Sequence, residues 1–132
     1  MRYFGLRIYT IRLWTRHGVF YADQPFALEL EYAMRFSGHD IVARTLQEMR
    51  HQGRQDETQL ARWSLDMHQI LPDVHAGDRL IGIALPGQEA QFYLDSRALG
   101  SVRDPAFVRA FFDIWLAPST SAPDVRLALL SR

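Results

Sequence analysis

Phe26-Ala27-Leu28-Glu29-Leu30-Glu31-Tyr32-Ala33-Met34-Arg35-Phe36 sets apolar residues at every even position against small or charged ones at every odd position. Period two over that length marks a β-strand in a sheet that buries one face and wets the other; a helix would space its apolar residues three and four apart. At Ser37-Gly38-His39-Asp40 the period switches. Ser37 is suited to cap the first free amides, with Asp40 three residues on as the acidic form of a capping box. Ile41, Val42, Leu46 and Met49 then mark one helical face, and Gly53 suits its stop.

Working outward, residues 3–14 are rich in aromatic and β-branched types and read as a strand, His17-Gly18 as a turn, and Val19-Phe20-Tyr21 as a short return strand. A second helix opens near Asp56, turns Leu60, Trp63, Met67 and Ile70 inward, and ends before Pro72. Leu80 to Leu85, Gln91 to Leu94 and Ala98 to Val102 read as three further strands, with turns at Pro86-Gly87 and Asp95-Ser96. Asp104-Pro105 is an N-cap followed by proline at the first helical position, and Phe107, Phe111, Ile114 and Trp115 form the buried stripe behind it. Ala122-Pro123 opens a last short helix through Leu130. Strands and helices come in blocks rather than in alternation, which predicts an α+β fold: a mostly antiparallel sheet with a helical layer on one face.

Composition bounds the chemistry. The chain has 132 residues, enough for a single domain (1–132) with one core, and 48% hydrophobic with 23% charged residues is an ordinary globular balance. Fifteen basic residues balance fifteen acidic ones, which argues against nucleic acid as a partner. Cysteine is absent, so thiol catalysis, thiolate metal sites and disulfides are excluded. Lysine is absent too, which excludes Schiff-base chemistry and the lysine of a P-loop. No apolar run is long enough for a transmembrane segment. The N-terminus lacks a signal-peptide pattern; a chain that opens in mid-strand is expected to lack upstream residues, a leader among them.

No pair of the histidines His17, His39, His51, His68 and His75 has ligand spacing in the sequence, so no metal and no cofactor is expected. Ser64, Ser119 and Ser121 lack a nucleophile context. Glu29 and Glu31 share one strand face, which fits either an acid–base pair or, more plainly, the charged wet face of a sheet. Arg7, Tyr9 and Ile11 share a face of the first strand. A cation and a phenol beside an apolar cavity suit a carboxylate; the plainer alternative is an arginine whose head reaches water past a strand end.

Several segments together resemble the bacterial chalcone isomerase-like family: Arg7 to Trp14, Pro25 to Tyr32, Arg44 to Met49, Pro72 to Val74 with Gly77 to Leu80, and above all Phe92-Tyr93 to Leu99-Gly100 followed by Asp104 to Leu116. The resemblance covers essentially the whole chain. It implies an open-faced β-sandwich, a long antiparallel sheet with helices across one face and a ligand cleft between them. Plant relatives with this fold divide between enzymes that close a chalcone into a flavanone and non-catalytic proteins that bind fatty acids. Carried over by position, Tyr9 falls where true isomerases have threonine and fatty-acid binders have tyrosine. Arg2 is the only residue near the family's catalytic arginine. The enzyme's helical tyrosine and asparagine fall near Ile41 and Glu48, and a late polar residue near Ile114, none of which replaces them.

The expectation is therefore a non-catalytic domain with no catalytic residues, binding a small apolar or lipid-like carboxylate such as a fatty acid through Tyr9, Arg2 and Arg7. The alternatives are an intramolecular lyase acting on a phenolic compound, and a structural or partner-binding module whose cleft is filled by its own side chains. Relatives of this kind often carry an export signal, which implies a bacterial periplasmic location. Ligand identity and oligomeric state are not encoded in these patterns.

Overall fold

A computed structural model of the chain describes residues 8–53 and 56–130. Five strands form a single antiparallel sheet in chain order: β1 (Tyr9–Thr15), β2 (Phe26–Tyr32), β3 (Arg79–Leu85), β4 (Glu89–Leu94) and β5 (Arg97–Val102). Two helices, α1 (Gly38–His51) and α2 (Glu57–Ile70), are inserted between β2 and β3, and α3 (Pro105–Leu116) and α4 (Pro123–Leu130) follow the sheet. The α+β, open-sheet architecture expected from the block order is the one observed.

Register explains which side is buried. Tyr9 stands opposite Tyr32, Ile11 opposite Leu30, and Leu28 opposite Gly82, so inward residues align across the sheet. The outward face carries Arg12 between Glu29 and Glu31, at 2.7 and 3.0 Å, with Trp14 Nε1 donating to Glu29 at 3.3 Å. Those bonds, to Glu31 first and then Glu29, hold the Arg12 guanidinium above its ordinary value. The two glutamates thus form an ion-pair network on the side of the sheet away from the helices.

The helices sit unequally on the inner face. α2 lies over β5, where Gly100 meets Ile70, and α3 lies over β3 and β4, where Phe112 meets Gly82. Aromatic rings from both layers interlock edge-on through Trp63, Phe107, Phe92, Phe111 and Phe112. α1 rests chiefly on α2 and α3. Its cap is the one expected, with the Asp40 amide donating to Ser37 Oγ at 3.0 Å.

Two expectations need correction. Residues 19–21 form no strand; the chain from Arg16 to Pro25 is a loop of bends and turns. The alternating stretch ends as a strand at Tyr32 rather than Phe36. Beyond Tyr32 the chain bends, Met34 is exposed, and Phe36 pairs instead with Val74 in an isolated bridge. Of the expected first strand, residues 3–7 lie outside the described residues.

Asp104 ties the layers together, because one carboxylate oxygen accepts from the Ala106 amide and the other from the indole of fully buried Trp63, at 3.0 and 2.9 Å. Replacing it with alanine removes a helix cap, about 1 kcal/mol, and strands a buried N–H, about 1–3 kcal/mol. Asp104→Ala is expected to lower unfolding stability by about 2–4 kcal/mol in urea, with Asp104→Asn retaining most of it. A loss near zero for the alanine variant contradicts this account.

Candidate functional site

The sheet supplies one wall of a hollow and α1 the other. Ile8 precedes β1 and Tyr9 opens it, Leu30 and Tyr32 lie on β2, Leu80 and Gly82 on β3, and Phe92 on β4; Ile41, Arg44, Thr45 and Glu48 face them from α1, with Ile114 and Trp115 from α3. The cavity measures about 240 Å³. An apolar space of ~150 Å³ already admits benzene, and pockets for drug-sized ligands run ~300–1,000 Å³. This hollow falls between the two. Glycine at position 82 keeps part of the volume open, since a Cβ there would lie 3.3 Å from the Phe112 ring.

Polar groups are few and placed at two levels. At the rim, exposed Asp40 and half-exposed Arg44 flank the opening, and Arg44 pairs with Glu48 at 3.5 Å. Glu48 also accepts from Ser121 Oγ at 2.6 Å. Deeper, Tyr9 and Tyr32 meet edge-to-face with ring centroids 5.5 Å apart. Trp115 Nε1 donates to the Tyr9 hydroxyl oxygen at 2.9 Å, which fixes that ring and polarises its O–H as a donor.

Tyr32 is different. Its side chain is 5% exposed, and its hydroxyl hydrogen-bonds to no group among the described residues. Burial alone pushes its phenol above the ordinary tyrosine value. A buried unsatisfied hydroxyl is uncommon and costs about 1–3 kcal/mol, so its presence inside a cavity is informative.

Of the sequence-predicted site residues, Tyr9 lies in the wall of the cavity, while Arg2 and Arg7 lie outside the described residues. Ile41, Glu48 and Ile114, which the resemblance sets near the isomerase's polar positions, all line the same hollow. Tyr32 and Arg44 were not singled out by the sequence. Among the described residues no helix is long and apolar enough to cross a membrane.

Comparison with known families matches residues 4–131 to the chalcone isomerase-like family. The chain belongs to that family. A relative in Haemophilus influenzae, an uncharacterized protein, is 29% identical over 127 residues, covering 95% of this chain and 61% of the relative. Among solved structures, a fatty-acid binding protein of Arabidopsis thaliana is similar with a TM-score of 0.64 at 13% identity, over 83% of this chain and 56% of the plant protein. The chain thus spans about three-fifths of the length of these relatives, and the structural likeness supports the chalcone isomerase-like fold.

The stranded hydroxyl makes a prediction of opposite sign to most core substitutions. Tyr32→Phe is expected to raise stability near neutral pH by on the order of 1 kcal/mol, read as the urea midpoint. Because the folded value is raised, the stabilising difference from Tyr32 is fully present below the unfolded value of about 10 and is lost as pH rises from there toward the folded value. The variant should therefore lose less stability than the wild type above about pH 10. Equal alkaline loss in both proteins contradicts the burial of this phenol.

Proposed function

We propose that this domain is a non-catalytic binder of a small apolar molecule bearing one hydrogen-bond-accepting head, of which a short- or medium-chain fatty acid is the most concrete case. The observation that carries the proposal is the Tyr32 hydroxyl, buried without a hydrogen-bond partner among the described residues, in a mostly apolar hollow. A carboxylate or carbonyl oxygen seated beside it would accept a hydrogen bond from it and remove the cost of its burial. Tyr9, held by Trp115, lies beside it on the adjacent strand. The alkyl portion would lie along Leu30, Leu80, Phe92, Phe111 and Ile114, where burial is worth about 0.8 kcal/mol for each methylene.

The head's negative charge requires a cation. Arg44 at the rim is one source, and the sequence offers Arg7 and Arg2 as further candidates. The plant relative of the same fold is described as a fatty-acid binding protein, which is consistent with this chemistry. A non-catalytic reading is supported by apolar Ile41 and Ile114, and by Glu48 engaged with Arg44 and Ser121, where the isomerases carry tyrosine, asparagine and a further polar group.

Displacement of a fluorescent fatty-acid probe tests the reading. Wild type should bind dodecanoate saturably. Ile41→Trp, which fills the hollow from its half-buried rim, and Tyr32→Phe should each weaken binding by roughly tenfold. Tyr32→Phe should do so while stabilising the empty protein, the signature of a group kept for binding rather than folding. Unchanged affinity in both variants overturns the site. Acceleration of chalcone cyclisation above its spontaneous rate overturns the non-catalytic reading and leaves the cavity intact.

A further inference from the structure

His39 and His68, 29 residues apart in the chain, meet on the surface where the first turn of α1 crosses the last turn of α2. His39 Nδ1 and His68 Nε2 are 3.3 Å apart, with ring centroids at 5.5 Å, and both side chains are exposed. His68 Nδ1 lies 2.8 Å from the Ser64 carbonyl oxygen. A carbonyl can only accept, so that nitrogen carries the proton and Nε2 presents its lone pair outward. The same second contact is what orients metal-bound histidines, by fixing the tautomer and raising the basicity of the ligating nitrogen.

We infer that His39 Nδ1 and His68 Nε2 form a bidentate interhelical site for a borderline divalent transition cation of the zinc, nickel or copper type. Metal–nitrogen bonds of about 2.0–2.1 Å at a tetrahedral angle separate two ligand nitrogens by about 3.3–3.4 Å, the spacing already present. Loading requires His39 to move its proton from Nδ1 to Nε2 and each ring to tilt by roughly 35° so that the lone pairs converge. Both rings are at the surface and able to do so. No group of three or more histidine, aspartate and glutamate side chains converges among the described residues, so water completes the coordination. Imidazole pairs favour these cations over magnesium or calcium, which take oxygen ligands. The C-terminal end of α2 favours a cation and the N-terminal end of α1 opposes it; the carboxylate of Asp40, next to His39, offsets the latter. A bound cation would clamp α1, the outer wall of the hollow, to α2.

Titration calorimetry of the full chain with zinc chloride in a non-chelating buffer tests the inference. Wild type should take up one zinc per chain with a rise in melting temperature, since binding the folded state alone stabilises it. His39→Gln and His68→Gln should each weaken uptake by at least ~tenfold and abolish the rise. His17→Gln, His51→Gln and His75→Gln should leave both unchanged, and magnesium chloride should give no saturable heat. The inference is overturned by absence of saturable zinc uptake in wild type, by uptake that survives in both His39→Gln and His68→Gln, or by magnesium binding equally well.

Discussion

The hollow exists because α1 packs on α2 and α3 more closely than on the sheet. At the N-terminal end, Gly38 donates its amide to Asp73 Oδ1 at 2.8 Å and sits so close to the loop after α2 that a Cβ would lie 2.5 Å from the Leu71 carbonyl oxygen. At the other end, Gln52 exchanges two hydrogen bonds with Ser119, Arg50 forms a two-pronged pair with Glu57, and Ser121 reaches Glu48. These polar anchors set the helix on α2 and α3. They leave its middle turns standing off the β1–β2 side of the sheet, where a fully packed helix would have closed the gap.

What lines that gap then follows from register. β1 and β2 pair so that Tyr9 and Tyr32 face inward side by side, and α3 brings Trp115 to only one of them. One phenol is bonded to Trp115, and the other has no hydrogen-bond partner among the described residues. Packing that was selected for stability alone would put phenylalanine at position 32, because a stranded hydroxyl lowers stability without improving packing. The asymmetry between two neighbouring tyrosines is therefore the strongest chemical signal in the fold. It connects a local strand pairing to the binding role proposed for the cavity.

Much of the architecture was legible in the sequence. The even-position apolar residues of Phe26 to Tyr32, the Ser37 and Asp104 caps and the blocks of strands and helices report local rules that tertiary structure obeyed. The stretch after Tyr32 misled because Ala33-Met34-Arg35-Phe36 keeps the alternation while the backbone leaves the sheet. There the Tyr32 carbonyl is taken by the Gly77 amide and the Phe36 amide by the Val74 carbonyl, contacts to a loop some forty positions on that no periodicity encodes. Val19-Phe20-Tyr21 has strand-like residues but gains no partner strand.

The site was legible only in part. Tyr9 stood out through its neighbours and its family position, whereas Tyr32 looked like one more inward residue of an amphipathic strand. Being unpartnered is a property of the surrounding volume, which a linear pattern cannot report. Arg44 was hidden in the same way on a helix face that reads as solvated, and His39 and His68 meet only because two helices cross. The most direct test of the central claim is a high-resolution crystal structure of the protein as purified from its expression host, without added lipid. The account predicts elongated density in the hollow with an oxygen within hydrogen-bond distance of Tyr32 Oη. A cavity closed by its own side chains, with that hydroxyl bonded to protein, would contradict it.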